Sequence, residues 1–564
     1  MRIKKALLIV GMACAIGMNA QFTYQWAYSQ GGPNNDYGND ITVDNNGNVI
    51  TCGTYYNTAD FDPSEEGEAL FTSDGPHNGY ISKLDPGGTL SWVRTLVGES
   101  YVMSVCTDSD GNIYCGGSFR NEVDFDDSES DWLMACVGYT DAFVAKFSAD
   151  GTFLWAFSFG NIYHDNVNGI SLDADNNIII TGNFSETVDF DPGSGVAELA
   201  ETSEALQEDA YVAKYDNDGN YIWAKQFAGE SLQRGQRAEA NSEGDILVAG
   251  FFAVNIDCDP GAGELIFENG ADLDWQCYLV KLNANGELIW GKSFGGAGQD
   301  ATYSMAIDGQ NNVYATGYFE GTADFDPGAG AFEMTAEGTS HDAFIIRLDN
   351  DGSFVWAKQV AGSGYSGGQD IDVLGEIVFS TGYAEGVCDF DPGVGEQSFG
   401  MYPDEAIFLS ALDTDGNYLW ADQTGGLGDN MGFGIVADAQ YLYATGYFRS
   451  TATNFGEYDL ISEGNEDAFI MKAAHPVIST VSEPVQFEMN VFPNPLAWDG
   501  ILHFDTRLDN ATLALYGSTG QQLMTKQRFS GSALELQTYS LPPGAYTLSI
   551  TENQRTHNVN FVVN

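Results

Sequence analysis

Two carboxylates flanking an aromatic residue, followed by Pro-Gly, recur along this chain, as in Asp189-Phe190-Asp191-Pro192-Gly193 and Asp324-Phe325-Asp326-Pro327-Gly328. Variants of the turn place pairs at Asp60 and Asp62, Asp124 and Asp126, Asp257 and Asp259, and Asp389 and Asp391. In an extended segment, alternation sends both carboxylates to one side and the ring to the other, so the ring packs inward and two charges project together. Hard cations take about six to eight oxygen ligands, and such pairs supplemented by loop carbonyls would suit calcium. A second reading needs no metal: Asp ahead of Pro-Gly forms an Asx-type turn whose carboxylate accepts a backbone N–H. Catalytic constellations are absent from the sequence pattern. His77, His164 and His341 have no nucleophile or carboxylate at a diagnostic spacing, and no CxxC pair or His/Cys cluster suggests zinc.

The elements that position these turns follow from a repeat. Trp26, Trp92, Trp155, Trp223, Trp290, Trp356 and Trp420 lie 63 to 68 residues apart. Between successive tryptophans the same signals return in order. A Gly-rich stretch leads to an apolar strand ending in Asp, then a tight turn such as Asp44-Asn45-Asn46-Gly47-Asn48. A strand closing on glycine follows (Gly53, Gly116, Gly182, Gly250, Gly317, Gly382, Gly446), then the acidic segment, then a third strand such as Asp141-Ala142-Phe143-Val144-Ala145-Lys146. A second tight turn, as in Asp216-Asn217-Asp218-Gly219-Asn220, enters the tryptophan strand. Four short strands per repeat with Gly/Asn/Asp turns predict an all-β, seven-bladed β-propeller over residues 21–474. The lone strand from Phe22 to Tyr28 is expected to complete the last blade, whose own strands end at Asp467 to Ala473.

This order of signals resembles the bacterial β-propeller repeat labelled SBBP, across about 450 residues in seven copies. The resemblance implies the scaffold and is silent on activity. Chain order puts the short hairpins on one face. The Gly-rich connections and the acidic segments of about 25 residues lie on the other, which is where function is expected. The Asp-x-Asp-Gly hairpins lack the distal Glu of a helix–loop–helix calcium site and read as plain turns. Lys83, Lys146, Lys214, Lys281, Arg347 and Lys472 share one position of the third strand and are expected to be ion-pair partners. The tryptophans, one per blade, are expected to pack between blades.

Composition narrows the function classes. With 21 basic against 81 acidic residues, the chain has no electrostatic footprint for nucleic acid or an anionic bilayer. Residues 1–20 carry Arg2, Lys4 and Lys5 ahead of an apolar run and read as a secretory signal peptide, with no transmembrane segment expected in the mature chain. Cleavage would leave Cys52, Cys106, Cys115, Cys136, Cys258, Cys277 and Cys388. Cys106 and Cys115 flank a turn and either form a cross-strand disulfide or pack as buried thiols.

After Ala474 the period stops, and residues 475–486 read as a linker. Residues 487–564 hold Pro493-Asn494-Pro495, an alternating strand Thr512 to Tyr516, and Leu541-Pro542-Pro543-Gly544-Ala545-Tyr546, which together predict a small Ig-like β-sandwich. This order resembles the type A C-terminal sorting domain of the type IX secretion system. The resemblance implies engagement of that secretion machinery by residues 487–564 and export to the outside or the outer-membrane surface. The sequence departs from the pattern at His557 to Asn564, which lacks a terminal lysine strand, so attachment or release stays open. The reading is a non-enzymatic, secreted or surface module for an extracellular protein or glycan partner. The alternative is a polysaccharide lyase or glycosidase using carboxylates of the same face.

Overall fold

The computed structural model describes residues 22–475, apart from 63, 65–66, 129–130, 203–207, 270–273, 338–340, 394 and 450–452, together with 491–492, 501–517, 521–536, 541–542, 544–552 and 555–563. The signal segment and nearly all of the linker lie outside the described residues. The chain divides into two compact units, Met1–Val477 and Ile478–Asn564.

Among the described residues there is no helix, and every strand-to-strand ladder is antiparallel. In the first unit the strands form seven four-stranded groups, here numbered 1 to 7. Group 3 shows the plan: Asn166–Leu172, Ile178–Phe184, Asp209–Tyr215 and Tyr221–Phe227 pair in sequence order from inside outward. Group 7 takes three strands from the end of the array, Met431–Ala437, Tyr441–Phe448 and Asp467–Ala474. Its outer strand is Thr23–Gln30, with Trp26 opposite Lys472. The inner strands of successive groups lie side by side, and that of group 7 lies beside Asp36–Val43 of group 1, which closes a propeller-like ring.

The repeated hairpins explain the strand spacing. Asp44, Asp108, Asp173 and Asp308 each accept two backbone N–H groups from the turn they open, at 2.8–3.0 Å. The second hairpin of each of groups 1 to 6 lays its left-handed glycine on the tryptophan of the preceding group, Trp26 of group 7 serving group 1. A Cβ on Gly151 would sit 2.8 Å from Trp92, and one on Gly352 3.0 Å from Trp290. Trp92, Trp290 and Trp356 then donate Nε1–H to the next group's hairpin carbonyls at Ala149, Asn350 and Thr414. The third-strand cations reach the same hairpins: Lys83 to Ala149 O, Lys281 to Asn350 Oδ1 and Lys472 to Pro86 O. Lys83, Lys214 and Lys281 also pair with Asp44, Asp173 and Asp245 at 2.8–3.0 Å. One cation thus ties its own first hairpin to its neighbour's second.

The acidic segments differ from the expected irregular loops. Six contain a short two-stranded hairpin, such as Thr187–Asp189 against Glu198–Ala200, and group 6 instead extends its long strands through the same region. The second unit is a five-stranded antiparallel sheet whose central strand, Ile501–Gly517, pairs with Gln522–Glu535 and with Gly544–Glu552. Leu513, Leu515, Leu534, Leu548 and Ile550 form its core, and Tyr546 donates O–H to Pro542 O at 2.6 Å.

Candidate functional site

Each of the seven inner strands breaks register at the same place, between Gly38 and Asp40, Val102 and Ser104, Val167 and Gly169, Gly235 and Arg237, Thr302 and Ser304, Gly368 and Asp370, and Gly432 and Gly434. The residue left over in each bulge is unpaired with the second strand and free to face the ring axis. Opposite each bulge stands a glycine, and packing requires it. A Cβ on Gly53, Gly117, Gly182, Gly250, Gly317, Gly382 or Gly446 would lie 1.8–2.0 Å from an inner-strand carbonyl. In group 2 the glycine in this role is Gly117 rather than Gly116, whose Cβ would instead meet Val167 of group 3.

The seven surplus residues, Asn39, Met103, Asn168, Gln236, Tyr303, Gln369 and Phe433, line a cavity of about 250 Å3 at the mouth of the central channel. The next inward-facing positions are Asp40, Ser104, Gly169, Arg237, Ser304, Asp370 and Gly434. Beyond them a second cavity of about 200 Å3 is lined by Thr42, Cys106, Ser171, Glu239 and Asp372 among others. Arg237 of group 4 crosses the channel between the two, with Nη1 3.7 Å from Asp40 Oδ2 of group 1 and Nε 3.2 Å from Glu239 Oε1.

The carboxylates around this guanidinium also stitch neighbouring groups together. Asp40 Oδ2 accepts Ser104 O–H at 2.8 Å and Val105 N–H at 2.9 Å, while Asp370 accepts Ser304 O–H at 2.6 Å and Ile435 N–H at 2.7 Å. Burial opposes the charge on Arg237, but Glu239, Asp40 and Asp370 outweigh it and hold the side chain charged. Burial pushes the Asp370 carboxyl up, opposed by Arg237, and raises Glu239 and Asp372 in the same way.

An aromatic rim surrounds the mouth on the face of the Gly-rich connections. His77 is 3% exposed, lies between Tyr56 and Tyr101 with centroids at 4.9 and 4.2 Å, and has no partner for either ring nitrogen. Its counterpart His341 packs against Tyr318 and Tyr365, with Nε2 2.7 Å from Tyr383 Oη. Burial lowers the pKa of both imidazoles, favouring the neutral form.

The acidic pairs expected to project together lie in the outer hairpins rather than at the channel. Phe61, Phe125, Phe190, Phe325 and Phe390 are buried, as the alternation requires, and Cys258 takes the place of the ring in group 4. In Asp60, Asp124, Asp189, Asp257, Asp324 and Asp389 the Oδ1 atom accepts two backbone N–H groups, at 3.0–3.1 Å across the turn and 2.7–2.8 Å from the returning strand. In Asp62, Asp126, Asp191, Asp259, Asp326 and Asp391 it accepts one N–H at 2.8–3.1 Å. Among the described residues no three His, Cys, Asp or Glu side chains converge as a metal group would need.

All seven described cysteines are free. Of the two alternatives for Cys106 and Cys115, the disulfide fails on register, because Cys106 stands opposite Tyr114 and Cys115 opposite Val105, which sends the two side chains to different faces. The sequence reading missed the channel cluster. Its only trace was a Gly-x-polar triplet at equivalent places, Gly38-Asn39-Asp40, Gly235-Gln236-Arg237 and Gly368-Gln369-Asp370.

Comparison with known proteins bears on the two units separately. An uncharacterized WD repeat-containing protein of Acanthamoeba polyphaga mimivirus is 22% identical over 550 residues, covering 83% of this chain, which spans 40% of that relative's length. The solved structure of Sqt1 from Chaetomium thermophilum covers 81% of the chain and all of its own at 9% identity, with a TM-score of 0.40. That of PorZ, a bacterial surface component of the type IX secretion system of Porphyromonas gingivalis, covers 95% of the chain and all of its own at 9% identity, with a TM-score of 0.16. Residues 490–564 match the secretion system C-terminal sorting domain, so the chain carries a type IX sorting domain and is a secreted or outer-membrane-surface protein.

Proposed function

We propose that residues 22–475 form a seven-bladed β-propeller, each four-stranded group being a blade, and that the Ig-like C-terminal domain delivers it through the type IX machinery. Outside the cell the propeller acts as a non-enzymatic binding module for a protein or glycan partner, engaged at the channel mouth. The observation that supports this most is the seven-fold bulge. Asn39 and Asn168 donate to Val102 O and Gly235 O of the next blade, while the remaining surplus residues wall a cavity of about 250 Å3 whose amides and rings suit polar recognition. Gln236 and Gln369 line this cavity, and their amides are the groups this reading assigns to the ligand.

Retention of outer-surface glycans and proteins by immobilised full-length chain tests this reading. Wild type should retain a ligand that the Gln236→Ala/Gln369→Ala double variant loses by about tenfold or more, with melting unchanged. Equal retention by both proteins would move the site elsewhere. The enzyme alternative rests on Asp370, whose carboxyl burial raises against the opposing charge of Arg237 in the channel. Release of reducing ends or unsaturated sugars from a polysaccharide panel, abolished by Asp370→Asn, would establish it.

A further inference from the structure

The grooves between blades, at the outer edge, carry a repeated device that the chain itself breaks. On the outer strand, the residue two places after each tryptophan lies along the second hairpin of the next blade. In blades 3, 4 and 5 this residue is Lys225, Lys292 or Lys358. Its stem covers the next hairpin glycine so closely that a Cβ there would come within 2.6–2.8 Å of the lysine Cε. In blade 1 it is Arg94, whose Nε donates to Gly151 O at 2.6 Å and lies 3.7 Å from Asp127 Oδ1 in the acidic turn of blade 2. The guanidinium sits 5.9 Å from the Trp92 ring centroid. The groove between blades 1 and 2 is therefore occupied by a cation stacked on tryptophan and bound to a hairpin carbonyl and a turn carboxylate.

In blade 2 the equivalent residue is Phe157, which brings no charge to the outer part of the groove between blades 2 and 3, while Lys146 reaches the inner part of the same hairpin at Asn217 O. A cavity of about 350 Å3 remains, lined by Trp155, Phe157, Asp191, Gly219 and Asp218. Trp155 and Phe157 are stacked, their planes 17° apart and centroids 5.7 Å apart, so one wall of the cavity is aromatic. Two of the elements that hold Arg94 have counterparts here, Trp155 for Trp92 and the Gly219 carbonyl for that of Gly151; the position of Asp127 is taken by Pro192, and the carboxylates that line the cavity are Asp191, one place earlier, and the hairpin's Asp218. Blade 7 makes the same exchange with Tyr28, leaving a narrower cavity of about 180 Å3 beside Asp62.

We propose that the groove between blades 2 and 3 is a receptor site for the guanidinium or ammonium group of an arginine or lysine side chain on a basic polypeptide partner. The cation enters the cavity that remains beside the Trp155 and Phe157 rings and is accepted by Gly219 O and the two carboxylates. The formal charge of −60 steers such a partner inward. This site is separate from the channel mouth and stands or falls without it.

Calorimetric titration of the full chain with Nα-acetyl-L-argininamide tests it, with Nα-acetyl-L-citrullinamide, whose urea head is uncharged, as the control. The expected result is saturable binding of argininamide at a Kd on the order of 1 mM, weakening with added salt, and none for citrullinamide. Phe157→Arg supplies the missing guanidinium from within and should remove one binding site. Asp218→Asn changes an exposed hairpin position and should weaken binding by about threefold or more with melting unchanged, which decides the matter should Phe157→Arg fail to fold. The proposal is overturned by absence of saturable binding, by equal binding of citrullinamide, or by folded variants that keep the wild-type number of sites and affinity.

Discussion

Replacing Gly317 with alanine should cripple one blade through a single methyl group. The added Cβ would lie 1.8 Å from Ala301 O, 2.9 Å from Ala301 C and 3.0 Å from Thr302 Cα, all backbone atoms that cannot rotate away. Relief requires the first two strands of blade 5 to part by more than about 1 Å, since non-bonded heavy atoms settle near 3.5 Å. Overpacking of this kind costs about 1–3 kcal/mol, and the two ladder hydrogen bonds flanking the bulge add about 1 kcal/mol each. The sum is about 3–5 kcal/mol, which at roughly 2 °C per kcal/mol for a large domain lowers the melting temperature by roughly 6–10 °C. Gly309, in the hairpin of the same blade, is the internal control: its Cβ would meet nothing within 4 Å and its backbone is not left-handed. Gly309→Ala should melt at or slightly above wild type, because alanine only restricts the unfolded chain. Thermal melts of the three proteins by circular dichroism decide the question. A Gly317→Ala protein melting within about 2 °C of wild type would show that the bulge tolerates a side chain and that the glycine is not what holds the inner strand in place.

Other outcomes follow from the charges. Burial raises Asp36 and Asp165 to about 7, and Asp209, Asp300, Asp342 and Asp467 to about 6. The folded chain then holds more protons than the unfolded one from about pH 4 to 7, so stability falls as pH rises through that window, by about 1.4 kcal/mol per tenfold change in proton affinity. Melting should come several degrees higher at pH 5 than at pH 8, and a flat or inverted profile would refute the assignment. Arg237→Met leaves the channel carboxylates without their cation and should cost about 3–5 kcal/mol at pH 8, part of it regained at pH 5 as Asp370 and Glu239 take up protons; denaturant melts at the two pH values measure this. With one oxygen of every acidic-turn carboxylate already accepting N–H, calcium added to chelator-treated protein should leave melting unchanged. Saturable heat with a raised melting point would instead make those aspartates ligands.

Local chemistry made much of the architecture legible. The tryptophan period, the Asn/Asp-Gly turns and the Asp-Phe-Asp-Pro-Gly segments act within a few residues of themselves, and each formed the turn or strand its own side chains favour. Of the six third-strand cations, Lys83, Lys214, Lys281 and Arg347 pair with a carboxylate as expected, because a buried positive charge needs one within reach, whereas Lys146 and Lys472 reach Asn217 and Pro86 O and lie over tyrosine rings. Register was harder. The hairpin from Cys106 to Cys115 closes one residue away from the symmetric pairing, and in a strand one residue reverses every side chain.

What only the tertiary structure decided is what meets at the axis and in the grooves. Asp40, Arg237 and Asp370 belong to blades 1, 4 and 6 and come together because ring closure brings distant inner strands to one channel. Nothing within any single repeat announces that meeting. The bulges that aim their neighbours inward arise from a glycine on the adjacent strand, and the empty groove at Phe157 is visible only against the filled one at Arg94. The sequence by itself determined the repeat and its strands and turns, since turns and alternation are local; the sites were left to closure, since they are made of residues whose only connection is the space the ring encloses.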